Sequence, residues 1–166
     1  MNEKLSDYSS IAEIISAVAI VLSLIFVGVQ LQENTKATRA DSAISASTAT
    51  AQWYIALGGS AENSTLFRNF VMQPEALTKE QRFQAVMNLH AILLIFQNNF
   101  YLASEGTLDA KMKDSIAEAV VVIKDQPGWR LYWKERRAIF LPEFQAYIDE
   151  LTKAERKVSL GIYGDN

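Results

Sequence analysis

Apolar residues recur along this chain at helical spacing, and one stretch has no polar face at all. From Ile14 to Gln32 the run IISAVAIVLSLIFVGVQLQ carries no charge, and only Ser16, Ser23 and Gly28 interrupt it before Gln30. Its 19 residues match the roughly 20 that a helix needs to cross a hydrocarbon core about 30 Å thick. Small residues of this kind are common in membrane helices. The pattern therefore predicts a single N-terminal transmembrane helix over about Ser10–Gln32. Two other readings compete. A cleaved signal peptide calls for a basic leader and a small-x-small cleavage site, whereas Lys4 stands among Glu3, Asp7 and Glu13, and polar Gln30, Gln32, Glu33 and Asn34 follow Gly28. A buried core helix of this length calls for a larger domain around it.

No glycine or proline occurs between Gly28 and Gly58, so the helix is expected to continue to about Leu57 and stop at Gly58-Gly59. Steps of four and three from Ala12 give one seam: Ser16, Ala19, Ser23, Phe26, Gln30, Glu33, Ala37, Ala40, Ile44, Ser47, Ala51 and Tyr54. Eight of these thirteen positions are Ala or Ser, which lets helix backbones approach closely in lipid or in water. One reading is self-association of several copies along the seam. The other is that its soluble half lies against the protein's own bundle.

The remainder reads as five shorter helices. The first spans residues 61–72 and ends before Pro74. Thr78 with Gln81 forms a capping box that opens a helix to about Ser104. Gly106 stops it, and Thr107 is expected to cap the next helix, to about Lys124. Pro127 opens a helix to Ile139 and Pro142 one to about Lys153. The uncharged run from Phe83 to Ser104 holds too many amides for a second crossing and suits a central bundle helix. No alternating strand pattern appears. The predicted architecture is all-α: an anchor helix with a long extension (1–58), a compact bundle (59–154) and a frayed tail (155–166).

Composition narrows the chemistry. Sixteen basic residues against nineteen acidic ones give a net charge of -3, which argues against nucleic acid as a partner. With no cysteine, thiolate metal sites, disulfides and cysteine nucleophiles are excluded. No phosphate loop, nucleophile elbow or zinc signature is present, and no Glu-x-x-His motif offers a carboxylate metal site. No catalytic residue, cofactor or metal is predicted, and the class expected is non-enzymatic.

Several side-chain groups remain as candidates. The belt Gln30, Gln32, Glu33, Asn34, Thr35, Lys36 and Arg39 lies where the span ends; it lines a mouth, binds headgroups or bridges subunits, or is an ordinary solvated junction. Glu13 at the other margin would form a carboxylate ring in an oligomeric channel, or simply face the interface. Trp129, Tyr132, Trp133 and Arg136 share a helix face, with Arg130, Lys134 and Arg137 nearby. They contact lipid or ligand, or they are core rings with solvated cations. His90 has no clustered acid and suits a hydrogen-bonded boundary position. Asp114 and Glu118 are i, i+4 neighbours beside Lys111 and Lys113, as a mixed solvated surface would be. A sensor that binds a small apolar ligand would use the helices around Phe96, Phe100 and Trp133.

The junction GVQLQENTKATRA (Gly28 to Ala40) resembles the segment after the membrane helix in a large group of short, uncharacterised bacterial proteins, in which a Q-N-T-x-A-x-R-A run is typical. PGWRLYWKERRAIFLPEFQAYIDEL (Pro127 to Leu151) resembles the same group's C-terminal region. The resemblance implies a bacterial source, an N-terminal membrane helix and an all-α remainder, and carries over no catalytic residue. The expected setting is the bacterial inner membrane, crossed once. Lys36 and Arg39, set against Lys4 and the terminal amine, place the C-terminal domain in the cytoplasm by the positive-inside rule. The expected partners are lipid, further copies, or other subunits of a membrane complex.

Overall fold

The computed structural model describes residues 2–153, the first nine of these as backbone only. Every element among them is helical: α1 (Asn2–Gly58), α2 (Ala61–Met72), α3 (Lys79–Ser104), α4 (Ala110–Ile123), α5 (Pro127–Arg136) and α6 (Pro142–Lys153), with short 3-10 turns at Pro74–Ala76 and Arg137–Ile139. The 155–166 tail falls outside the described residues.

The chain divides into two compact units, Met1–Ala40 and Asp41–Asn166. In the first, α1 presents Ile14, Leu22, Leu24 and Phe26 to the surface. It holds a window with mean hydropathy 2.6, none of it buried, and is long and apolar enough to cross a membrane. None of that window is buried among the described residues, whereas a core helix would be mostly buried. Several of the α1 hydroxyls bond within the helix. Ser16 Oγ donates to the Ala12 carbonyl at 2.8 Å and Thr35 Oγ1 to that of Leu31 at 2.8 Å, which removes the cost of a lone hydroxyl in an apolar medium.

The second unit begins at Asp41 rather than at residue 59. The last turns of α1 belong to the bundle because they bury a stripe of their own: Ala46 is buried, and Ser42, Ala43, Ala49, Thr50, Trp53 and Leu57 are half-buried. Trp53 Nε1 donates to the Asn88 carbonyl of α3 at 2.9 Å. Ser64 Oγ and Asn63 Nδ2 of α2 donate back to the Leu57 and Ala56 carbonyls at 2.8 and 3.4 Å, covering acceptors that the end of α1 leaves open.

As expected, α3 is the central helix, packed by α2 and α4; α5 lies on α2, and α6 on α4. The core gathers Phe70, Val71, Leu89, Leu93, Tyr132, Phe144 and Ile148, all fully buried. Each such apolar side chain contributes about 1.5–3 kcal/mol on leaving water. The Thr78–Gln81 capping box forms in both directions, and Gly106 takes φ 72 beyond the end of α3, a left-handed angle that favours glycine.

Two boundaries differ from the sequence pattern. Asp109, not Thr107, caps α4 by accepting from the Lys111 amide at 2.8 Å. Thr107 instead donates its hydroxyl to the Leu102 carbonyl at 3.0 Å and closes α3. The intervening Leu108 is buried, which holds the turn inward and delays α4 by two residues. The α5 helix stops at Arg136 rather than at Ile139. Its last residues tighten into the 3-10 turn, which delivers buried Phe140 to the His90 and Trp133 rings.

Candidate functional site

The predicted seam and the face that meets the bundle are two different stripes of α1. In the first unit Ala12, Ser16, Ala19, Ser23, Phe26, Gln30, Glu33, Ala37 and Ala40 are all exposed. In the second, Ile44 is 64% and Tyr54 47% exposed, and Ser47 and Ala51 are exposed between them. The reading in which the soluble half of the seam lies on the protein's own bundle is therefore corrected. The bundle takes the stripe through Ala46, Trp53 and Leu57, which follows the same helical period on a neighbouring face. The sequence pattern passed over Trp53. Its spacing of four from Leu57, in a segment otherwise made of small residues, was the available signal.

The polar belt wraps around the helix rather than lining one side. Gln30 and Glu33 lie on the seam, whereas Gln32, Lys36 and Arg39 follow one another at i, i+4 and i+3 spacing on another face. All are exposed. Lys36 Nζ lies 2.7 Å from Glu33 Oε1, so the one carboxylate on the described seam has its counter-charge on its own helix. An exposed pair of this kind adds little stability. Polar groups on every side suit a collar in the headgroup region better than a directed pocket. Glu13 is exposed on the same helix.

The aromatic cluster goes to the core. Trp129 is 3% exposed and Tyr132 fully buried. The Trp129 and Trp133 rings stack with centroids 5.4 Å apart. Trp133 Nε1 donates to Asp149 Oδ1 at 2.8 Å, and Arg137 Nε donates to the same carboxylate at 3.1 Å. The Arg137 hydrogen bond holds the Asp149 carboxyl below its usual range. Trp129 is thus unavailable to lipid or ligand, and Trp133 and Arg137 are committed to α6. Arg136 is half-buried near His90 and Tyr132.

His90 Nδ1 lies 2.7 Å from the Tyr132 hydroxyl. Burial, and secondarily the Arg136 guanidinium, lowers the His90 pKa; burial raises that of Tyr132. Both groups are neutral at pH 7 and share one proton in a structural bond. Asp114 accepts from the Tyr147 hydroxyl at 3.0 Å and lies 3.0 Å from Lys113 Nζ. The same ammonium sits 4.2 Å from the Tyr147 ring centroid, an arrangement typical of a cation–π contact. Among the described residues no group of three His, Asp or Glu side chains could hold a metal ion.

An apolar cavity of about 40 Å³ lies among Trp53, Leu57, Phe67, Leu93, Phe96 and Ile123. It shares Phe96 with the predicted ligand site but not Phe100 or Trp133. Beside it, α1 and α4 flank an open groove of about 450 Å³, with Thr50 and Tyr54 on one wall and Ser115, Ile116, Ala119 and Val122 on the other. Comparison with protein-family models, with curated proteins and with solved structures returned no match.

Proposed function

We propose that this chain is a non-enzymatic, membrane-anchored helical module. It acts through α1, by associating with further copies of itself or as an accessory subunit of a membrane complex. The observation that carries this reading is the exposure of Ile44, Ser47, Ala51 and Tyr54 on a segment that already buries a second stripe in its own bundle. A peripheral bundle helix needs one apolar face; this one carries a second stripe, with Ile44 and Tyr54 on it, that the described residues leave exposed. The span supplies the anchor. The junction Gly28 to Ala40, with its likeness to bacterial membrane proteins, supports the bacterial inner membrane. Lys36 and Arg39 support a cytoplasmic bundle.

The test is the mass of the full-length protein purified from native membranes in mild detergent. Dimers or higher oligomers, or a complex of fixed composition, are expected. A strictly monomeric particle with no co-purifying subunit would overturn the proposal.

A second reading, a membrane-tethered sensor of a small apolar molecule, draws on the cavity beside Trp53. At about 40 Å³ it is much smaller than the roughly 150 Å³ cavity that takes up benzene, so Tyr54 at its rim would have to move. A saturable shift of the Trp53 emission on adding short alkanes is expected on this reading, and a flat titration would remove it.

A further inference from the structure

We infer that a second copy's Ile55 seats in the groove between α1 and α4, with the two α1 segments running parallel. This rests on the self-association reading above and names its geometry. Ile55 is 70% exposed, more than any other large apolar side chain described. It lies one residue past Tyr54, the last position of the seam, and so on the seam's flank. The groove lies on the opposite flank, at Thr50, one residue before Ala51.

In a parallel helix pair the flanking residue before one seam position faces, on the partner, the flanking residue after the next seam position. Thr50 precedes Ala51, Tyr54 is the next seam residue, and Ile55 follows it. Parallel packing therefore sets a second copy's Ile55 against Thr50, at the lip of the groove. Copies anchored by the same N-terminal span run in the same direction, which selects the parallel arrangement.

The groove fits that occupant chemically. Half-buried Ile116, Ala119 and Val122 supply its apolar wall, and Ser115 and Glu118 its rim. It has no Lys or Arg among its lining residues, whereas a face that docks on anionic lipid carries them. A branched aliphatic side chain from an identical helix meets apolar surface there and brings no charge of its own into it. By symmetry each copy gives one Ile55 and receives one, so the contact closes as a dimer.

The absence of cysteine makes the test direct. Full-length single-cysteine chains are oxidised in native membranes. Ala51→Cys reports whether the seam self-associates at all. A mixture of differently tagged Ile55→Cys and Ser115→Cys chains reports the proposed seat, with Ile55→Cys mixed with Arg68→Cys as the control. Disulfide-linked Ala51→Cys dimers are expected, with mixed Ile55–Ser115 disulfides at least tenfold above the control. Separately, Ile55→Glu is expected to weaken the dimer at least tenfold without moving the monomer's melting temperature. If Ala51→Cys dimers form but the mixed disulfide stays at control level and Ile55→Glu dimerises normally, the seat is wrong and self-association stands. If no Ala51→Cys dimer forms and the mass is monomeric, both fall.

Discussion

The Tyr132 hydroxyl of α5 lies 2.7 Å from His90 Nδ1 of α3, the one side-chain hydrogen bond described between these two helices. Burial of the two groups makes bundle stability depend on pH in two windows. The pKa of His90 is lowered in the fold, first by burial and then by Arg136, so the unfolded chain binds protons more readily. Stability is full above the unfolded value of about 6.5 and falls as pH drops through it. The pKa of Tyr132 is raised, chiefly by burial, so its contribution is full below about pH 10 and is lost as pH rises beyond that. Melting temperatures are expected to fall from pH 7.5 to pH 5.5 in the natural protein, and less in His90→Gln. Tyr132→Phe, which leaves Nδ1 without its partner, is expected to cost about 1–2 kcal/mol at pH 7.5 by denaturant unfolding. An equal pH slope in His90→Gln would contradict the assignment.

Two helical glycines are expected to respond with opposite sign. A Cβ on Gly128 would meet the Phe70 carbonyl oxygen at 2.1 Å and Val71 Cα at 2.9 Å. These are backbone atoms of α2, which cannot rotate away. Gly128→Ala should force α5 off α2 and destabilise the bundle by about 3 kcal/mol, at the upper end of the usual cost of overpacking. A Cβ on Gly58, within the last turn of α1, meets nothing within 4 Å, so Gly58→Ala should be neutral or stabilise by up to about 1 kcal/mol. Urea unfolding of the two variants side by side checks the contrast.

Asn99 is 1% exposed, and neither its Oδ1 nor its Nδ2 has a protein partner among the described residues. A buried amide without partners loses its hydration with no return, and an apolar side chain of similar shape avoids that loss. Asn99→Leu is expected to raise stability by about 1–2 kcal/mol, read as a higher urea midpoint at unchanged slope. A lower midpoint would show that the amide is satisfied in solution.

The helical boundaries that could be read from the sequence are those set by local chemistry. The Thr78–Gln81 box, the stop at Gly106, and Pro127 and Pro142 at helix starts each act within one turn, and each falls where the pattern puts it. The errors come from tertiary demands. Thr107 and Asp109 are both good caps, and only the burial of Leu108 decides between them. The end of α5 is set by where Phe140 must go. The two stripes of α1 were the hardest to separate, because Ala and Ser on every side give the segment little amphipathic contrast and leave Trp53 and Leu57 to mark the inward face.

That ambiguity can be tested with one substitution at two positions. Ala46 and Ala51 lie five residues apart on α1, the first buried by the bundle and the second exposed on the seam. Ala46→Leu adds volume where α1 meets its own bundle, and should destabilise the fold by about 1–3 kcal/mol. Ala51→Leu adds the same volume on the outer face and should leave monomer stability within about 0.5 kcal/mol. Its effect should appear in association instead, because a larger side chain keeps two helix backbones from approaching closely. Thermal unfolding in detergent at limiting dilution isolates the first effect, and the oligomer fraction at high protein concentration the second. Loss of fold stability in Ala51→Leu, with none in Ala46→Leu, would reverse the assignment of the two faces and remove the basis for association through the seam.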